Sequence, residues 1–209
     1  ADAVLATDAL EVGGQRQSVA VLFTDLRGFT AYSEGIPAER LVRELNAYLD
    51  SMVAVISSEN GIVDKYIGDA IMAVWGVPAP SDDDAARAIR TAWKLQKALE
   101  VHNAERAAHG APPLAQGVGV HFGPAIAGNI GTAERLQYTV IGEVVNLASR
   151  LESATKGTSN SVILSQAVVD AAGEIEGVPP IRSLEPVALR GRTDPMAVAT
   201  FDDAPTPGM

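Results

Sequence analysis

The stretch VAVLFTDLRGFT, residues 19–30, contains the clearest structural signal in the chain. Its first five residues are apolar without alternation and include two β-branched valines, a pattern typical of a strand buried on both faces. The apolar run stops before Asp25, and a loop or helix start that contains Gly28 follows. Free backbone N–H groups in such a segment can cradle phosphate oxygens. The candidate phosphate-binding residues are Leu26, Arg27, Gly28, Phe29 and Thr30.

Helical and strand-like patterns alternate after this motif. An apolar stripe with a 3.6-residue period follows Pro37 and stops at Asn60-Gly61, which predicts a long helix. Residues 62–67 and 70–75 have strand character, and Gly68-Asp69 between them favours a tight hairpin. The remaining predicted elements are a helix from Ser81 to about Gly110, strands at 115–121 and 125–129 around a turn at Gly123-Pro124, a strand at 138–141, a helix at 143–154, a strand at 161–165, a short helix from Gln166 and a last strand near 187–201 interrupted at 190–192. This order predicts an α+β fold in which helices cover one face of a largely antiparallel sheet.

The composition limits the classes of protein to consider. The 209 residues are 47% hydrophobic, so we expect one globular domain over residues 18–203, a lead-in over 1–17 and a tail over 204–209. The net charge of −10 argues against duplex nucleic acid as a partner, because binding phosphates needs clustered Lys and Arg. The absence of cysteine excludes disulfides, thiolate catalysis and cysteine-based zinc sites. No apolar run approaches the roughly 20 residues of a membrane span, and we expect a cytoplasmic domain. Since the chain opens on Ala1, it could come from a longer, membrane-tethered protein.

Two carboxylates are placed where they could meet. Asp25 ends a predicted buried strand, and Asp69 lies at the tip of a hairpin that could pair beside it. Each residue alone is more typical of a cap or a turn. Together they favour a site for Mg²⁺, which prefers oxygen ligands.

A second candidate pair lies on the helix predicted over 143–154. Asn146 and Arg150 are four residues apart and therefore share one face. Their amide and guanidinium groups could orient a sugar and hold a phosphoryl group, but spacing alone favours an exposed face where Arg150 pairs with Glu143 or Glu152. His121 stands among apolar residues, which indicates a core histidine rather than a base.

Three segments together resemble one family. They are FTDLRGFT (residues 23–30), DKYIGDA (residues 64–70) and YTVIGEVVNLASRLE (residues 138–152). In order and spacing they are similar to the catalytic domain of class III adenylyl and guanylyl cyclases, and the likeness covers nearly the whole chain. The resemblance implies a ferredoxin-like palm that works as a head-to-tail homodimer, with two active sites at the dimer interface.

The resemblance also implies roles for the candidate residues. One chain would hold two Mg²⁺ or Mn²⁺ ions through Asp25, Asp69 and the backbone carbonyl of Leu26. The partner chain would contact the purine, the ribose, the transition state and the triphosphate. The residues implied for those contacts are Lys65 and Thr139 for the purine, Asn146 for the ribose, Arg150 for the transition state and Arg190 for the triphosphate.

The purine-contacting pair favours ATP as the substrate. Adenine offers an acceptor at N1 and a donor at N6, whereas Lys65 donates and the Thr139 hydroxyl can accept. Guanylyl cyclases of the family usually carry Glu at the position of Lys65. We therefore expect conversion of ATP to 3′,5′-cyclic AMP and pyrophosphate. The alternatives are a guanylyl cyclase and a non-catalytic nucleotide-binding regulatory domain of the same fold.

Three positions depart from the family's common pattern. Thr139 stands where Asp is common, and this form resembles bacterial adenylyl cyclases of the Thr-type subgroup, which implies bicarbonate as an activator. Gly117 stands where a basic residue often precedes the V-G-x-H-x-G motif, and Arg190 replaces a frequent Lys. The family further implies an upstream regulatory domain in the full-length protein.

Overall fold

The computed structural model describes residues 13–132 and 134–202. Its strands are β1 (Gly13–Leu26), β2 (Ile62–Ile67), β3 (Ala70–Trp75), β4 (Gln116–Thr132), β5 (Arg135–Ile141), β6 (Val162–Ser165), β7 (Ile181–Val187) and β8 (Met196–Phe201). Its α-helices are α1 (Phe29–Ser33), α2 (Ala38–Ser58), α3 (Asp84–Ala108), α4 (Glu143–Ala154) and α5 (Gln166–Ala172), and a 3₁₀ turn covers Thr155–Gly157.

One sheet contains all eight of these strands. Its order is β2-β3-β1-β4-β6-β8-β7, and β5 pairs with the second half of β4. The β4–β6 pair is parallel and the other pairs are antiparallel, as the sequence predicted for most of the sheet. The long β1–β4 pair, which runs from Gly13 opposite Asn129 to Leu26 opposite Gln116, forms the centre of the fold.

Helices cover both faces of the sheet, so the prediction of one covered face was wrong. Ala20 and Leu22 of β1 point into a core formed with α2, α3 and α5. Val19 and Val21 point to the opposite side, where α4 covers them. A β-carbon placed on Gly119 of β4 would lie 2.1 Å from the backbone nitrogen of a residue in α4, which requires glycine at this close approach.

Three other predictions need correction. Residues 13–17, expected in the lead-in, belong to β1 because they pair with the second half of β4. The turn predicted at Gly123-Pro124 is absent, and β4 runs through it. Pro124 falls between the part of β4 that pairs with β6 and the part that pairs with β5, so no second partner strand requires its missing N–H. Residues 181–187 form β7, and the expected interruption at 190–192 lies in the loop between β7 and β8.

The other elements agree with the sequence. The first long helix follows Pro37, the Gly68-Asp69 turn joins β2 to β3 with Gly68 at φ 66°, and α4 has the predicted bounds. The outer parts of the expected lead-in and tail, residues 1–12 and 203–209, lie outside the described residues. None of the helices in the described part of the chain has both the length and the apolar character that a bilayer span requires.

Candidate active site

The fold brings the two predicted carboxylates together. Asp25 is the second-last residue of β1, and Asp69 lies in the turn before β3, the strand that pairs with β1. The backbone N–H of Leu26 donates to Asp69 Oδ2 at 3.2 Å, which fixes the Asp69 carboxylate beside the end of β1. Burial and the neighbouring Asp25 charge raise the pKa of Asp69. The two carboxylates therefore repel each other unless a cation lies with them.

A cationic side chain of the protein itself contacts one member of this pair. Lys156 Nζ lies 2.9 Å from Asp25 Oδ2, and this hydrogen bond raises the pKa of Lys156. The Asp25 and Asp69 carboxylates thus form a position that favours a cation. The described part of the chain contains no group of three or more His, Cys, Asp or Glu side chains that could hold a metal ion. Phosphate oxygens and water would have to complete the shell of a Mg²⁺ ion held by Asp25 and Asp69.

The predicted phosphate cradle is smaller than expected. The Leu26 N–H is taken by Asp69, and the Arg27 N–H donates to the Ala115 carbonyl at 2.8 Å. The Arg27 guanidinium is also engaged, because it donates to the Thr155 and Asn160 carbonyls. The free N–H groups of the cradle can therefore come only from residues 28–30, where Gly28 adopts φ 66° and α1 begins.

The purine-contacting pair is assembled within one chain. Lys65 Nζ lies 3.2 Å from Asp64 Oδ2, and the Thr139 hydroxyl donates to the same oxygen at 3.0 Å. Lys65 belongs to β2 and Thr139 to β5, which do not pair with each other. Sequence reasoning identified both residues but missed Asp64, whose position immediately before Lys65 was the available signal.

The helix α4 presents Asn146 to solvent and leaves Arg150 half-buried. The Arg150 guanidinium approaches the β7–β8 loop, because its nitrogens lie 3.6 Å from where a β-carbon at position 191 would be. The exposed Arg190 precedes Gly191 in that loop. Among the described residues Arg150 forms no ion pair, so the expected pairing with Glu143 or Glu152 does not occur. The guanidinium is available for an anionic ligand.

The predicted site residues form three separate groups in the chain. Within residues 13–132 and 134–202, no hydrogen bond or ion pair joins the carboxylate pair to the purine-contacting pair, or either of them to α4. The groups are Asp25 with Asp69, Lys65 with Thr139, and Asn146 with Arg150 and the Arg190 loop.

The departure at Gly117 has a steric cause. A β-carbon at this position would lie 2.3 Å from Thr155 Oγ1 and 2.7 Å from Glu152 Oε1, both buried. Burial raises the pKa of Glu152. No side chain, basic or otherwise, fits at position 117 without displacing this end of α4.

His121 is a core histidine, as predicted. Its Nδ1 lies 2.8 Å from Ser165 Oγ, which in turn accepts from the N–H of Val168. Burial lowers the pKa of His121 to about 4, so the ring is neutral at physiological pH.

Comparison with known proteins assigns the chain to a family. Residues 12–199 match the family described as Adenylate and Guanylate cyclase catalytic domain. A 154-residue stretch is 39% identical to Adenylate cyclase 1 of Rhizobium meliloti (strain 1021), covering 74% of this chain and 23% of that protein. The chain therefore belongs to the adenylate and guanylate cyclase catalytic domain family, as its three motifs predicted.

Solved structures support the same fold. The adenylyl cyclase CyaB from P. aeruginosa is 33% identical, with a TM-score of 0.83 over 92% of this chain and 97% of that chain. The guanylyl cyclase Cya2 is 35% identical, with a TM-score of 0.79 over 90% of this chain and 93% of that chain. The overall likeness to an adenylyl cyclase and to a guanylyl cyclase is thus similar, and it does not discriminate between adenine and guanine.

Proposed function

We propose that this chain is the catalytic domain of an adenylyl cyclase that converts ATP to 3′,5′-cyclic AMP and pyrophosphate. The observation that carries the proposal is the placement of the Lys65 ammonium beside the Thr139 hydroxyl. Lys65 can donate to adenine N1, and Thr139 can accept from the N6 amino group. Guanine carries a hydrogen on N1, so its N1–H and the Lys65 ammonium would both be donors and could not form a hydrogen bond with each other.

The reaction joins the ribose 3′-oxygen to the α-phosphorus and breaks the bond from that phosphorus to the bridging oxygen, so that pyrophosphate leaves. The proton of the 3′-hydroxyl passes to water or to the substrate. When bound, two Mg²⁺ or Mn²⁺ ions would make this hydroxyl more acidic and neutralise charge on the triphosphate. Asp25, Asp69 and the carbonyl of Leu26 are the residues proposed to hold them, and the Lys156 ammonium on Asp25 supports the preference of this position for cations.

The other proposed roles follow from the groups on α4 and its neighbouring loop. Arg150 would face the charge that develops on the α-phosphoryl oxygens, where positioned donors stabilise a transition state most strongly. Asn146 would orient the ribose for in-line attack. Arg190 and the N–H groups of residues 28–30 would bind the triphosphate.

The family resemblance supports a head-to-tail homodimer. In a head-to-tail pair, the carboxylates of one chain would face the purine-contacting pair and α4 of the other, which gives two equal sites. Bicarbonate activation and control by an upstream domain stay predictions from the resemblance.

Product analysis and complementation test this proposal. Purified chain with ATP and Mn²⁺ should form cyclic AMP, with activity that rises faster than linearly with protein concentration as dimers form. Asp25→Ala and Arg150→Ala should each be inactive alone. Mixed in equal amounts they should regain about a quarter of wild-type activity, because half the dimers are mixed and each has one intact site.

The matched control mixes Asp25→Ala with Asp69→Ala. Both substitutions damage the same half of a site, so no dimer contains an intact one and no activity should return. Rescue in this control would refute the shared-site architecture. Absence of cyclic AMP from the wild-type chain would refute the adenylyl cyclase assignment, and cyclic GMP formed in preference from GTP would replace it with a guanylyl cyclase.

A further inference from the structure

The Asp64 carboxylate joins the two residues proposed to contact the purine. In the β2–β3 pair, Val63 lies opposite Ala73 and Lys65 opposite Met72, so Asp64 is an extra residue in a β-bulge. Bulges redirect side chains and often lie next to active sites. The Asp64 side chain is only 3% exposed, and its Oδ2 receives both the Lys65 ammonium and the Thr139 hydroxyl.

We infer that Asp64 is a positioning residue that determines the choice of purine by setting the direction of the Thr139 hydrogen bond. This inference rests on the proposed function. A threonine hydroxyl has one hydrogen and can act either as donor or as acceptor. Taken alone, Thr139 would therefore accept from the N6 amino group of adenine or donate equally well to the O6 oxygen of guanine.

The contact with Asp64 removes this ambiguity. An ionised carboxylate only accepts hydrogen bonds, so the Thr139 hydrogen points to Asp64 Oδ2 and the hydroxyl offers only lone pairs to a ligand. Those lone pairs suit the adenine amino group and repel guanine O6. The same oxygen also holds Lys65, whose ammonium keeps its other hydrogens for adenine N1. A site whose polar groups are already oriented discriminates better than one that adapts to each ligand.

The test compares kcat/KM for ATP with kcat/KM for GTP in wild type, Asp64→Ala and Asp64→Asn. Asp64→Ala frees the Thr139 hydroxyl to donate, so the ATP preference should fall about tenfold, with the GTP value unchanged or increased. Asp64→Asn keeps an acceptor oxygen for the hydroxyl but removes the charge. It should retain more of the preference than Asp64→Ala does.

The matched control is Glu59→Gln. Glu59 is also a nearly buried carboxylate with two cationic partners, Arg90 and Lys94. It follows the end of α2, before β2 begins, and over the residues that the structure describes none of its hydrogen bonds or ion pairs involves Lys65 or Thr139. Its loss should lower stability without changing the ATP to GTP ratio. An equal fall in that ratio in Glu59→Gln and Asp64→Ala would assign Asp64 a merely structural role and overturn the inference.

Two further outcomes separate this inference from the proposed function. If wild type forms cyclic AMP and Asp64→Ala retains the full ATP preference, only the role of Asp64 is overturned. If wild type forms no cyclic nucleotide, the proposed function fails. In that case, competition of ATP and GTP for binding to the same three proteins still tests Asp64, and an unchanged ratio of dissociation constants would overturn its role.

Discussion

The Gly117→Ala substitution tests whether the departure from the family pattern at this position is steric. The added β-carbon would lie 2.3 Å from Thr155 Oγ1 and 2.7 Å from Glu152 Oε1. Thr155 is fully buried, and its hydroxyl donates to the Glu152 carbonyl at 2.6 Å. The hydroxyl therefore cannot rotate away without giving up a buried hydrogen bond.

The expected magnitude is the sum of opposing effects. Forcing an extra methyl group into a packed core costs about 1–3 kcal/mol, and the loss of the Thr155 hydrogen bond adds about 1 kcal/mol where it occurs. Alanine also lowers the conformational entropy of the unfolded chain, which stabilises the folded state by about 0.4–1 kcal/mol. We expect Gly117→Ala to lower the free energy of unfolding by about 2 kcal/mol on this basis.

Urea unfolding followed by circular dichroism measures this difference. The matched control is Gly123→Ala in the same strand, where the nearest atom to an added β-carbon is 3.6 Å away, an ordinary contact. Gly123→Ala should change stability by less than about 0.5 kcal/mol. In a double-mutant cycle, Thr155→Ala should recover part of the loss caused by Gly117→Ala because it removes the clashing oxygen. Equal stability of the two alanine variants would refute the steric explanation.

Three further predictions concern stability away from the site. Burial lowers the pKa of His121 to about 4, so below pH 6.5 the unfolded chain binds a proton that the folded chain does not. The free energy of unfolding should therefore fall as the pH drops from 6.5 to about 4, by up to ~1.4 kcal/mol per pH unit. His121→Asn should lack this pH dependence in urea unfolding. Burial opposes ionisation of Glu44, but hydrogen bonds from Tyr32 and two arginines bring its pKa to about 2. Glu44→Gln should therefore cost about 2 kcal/mol at pH 7, and the difference from wild type should close as the pH falls from 4.5 towards 2. Trp75→Phe removes the indole N–H bond to the Glu59 carbonyl and should lower the unfolding free energy by about 1–2 kcal/mol, whereas an unchanged thermal midpoint would contradict it.

Much of the fold could be predicted because its elements depend on local patterns. The apolar stripe after Pro37 is a pattern within one helix, and α2 and α4 were predicted at or within two residues of their bounds. The errors at β4 and β7 arose from non-local effects. Gly123-Pro124 has turn propensity, but β1 pairs with β4 through this point and holds it extended. Residues 181–187 have a pattern too weak to predict a strand without β8 beside them.

The carboxylate pair shows what the sequence could and could not predict about the site. Asp25 and Asp69 were predictable because a strand end and a hairpin turn have known positions in a sheet. Lys156 could not be predicted as their partner, because it lies 131 positions from Asp25 in the chain and reaches it only after α4 has crossed the sheet. The 2.9 Å contact exists because Gly117 and Gly119 allow α4 to lie directly on β4.

Asp64 shows why residue identity alone does not determine the function of a hydroxyl. Thr139 was assigned to adenine because a hydroxyl can accept, but the same group can donate, and nothing in the motif around Thr139 decides between the two. The decision depends on an acceptor on another strand, 75 positions away, which the bulge at Asp64 brings within 3.0 Å. With Asp64 setting the direction of the Thr139 hydrogen bond, base preference in this chain depends on three residues rather than two. A substitution at position 64 should then change nucleotide preference even though the residue need not touch the nucleotide.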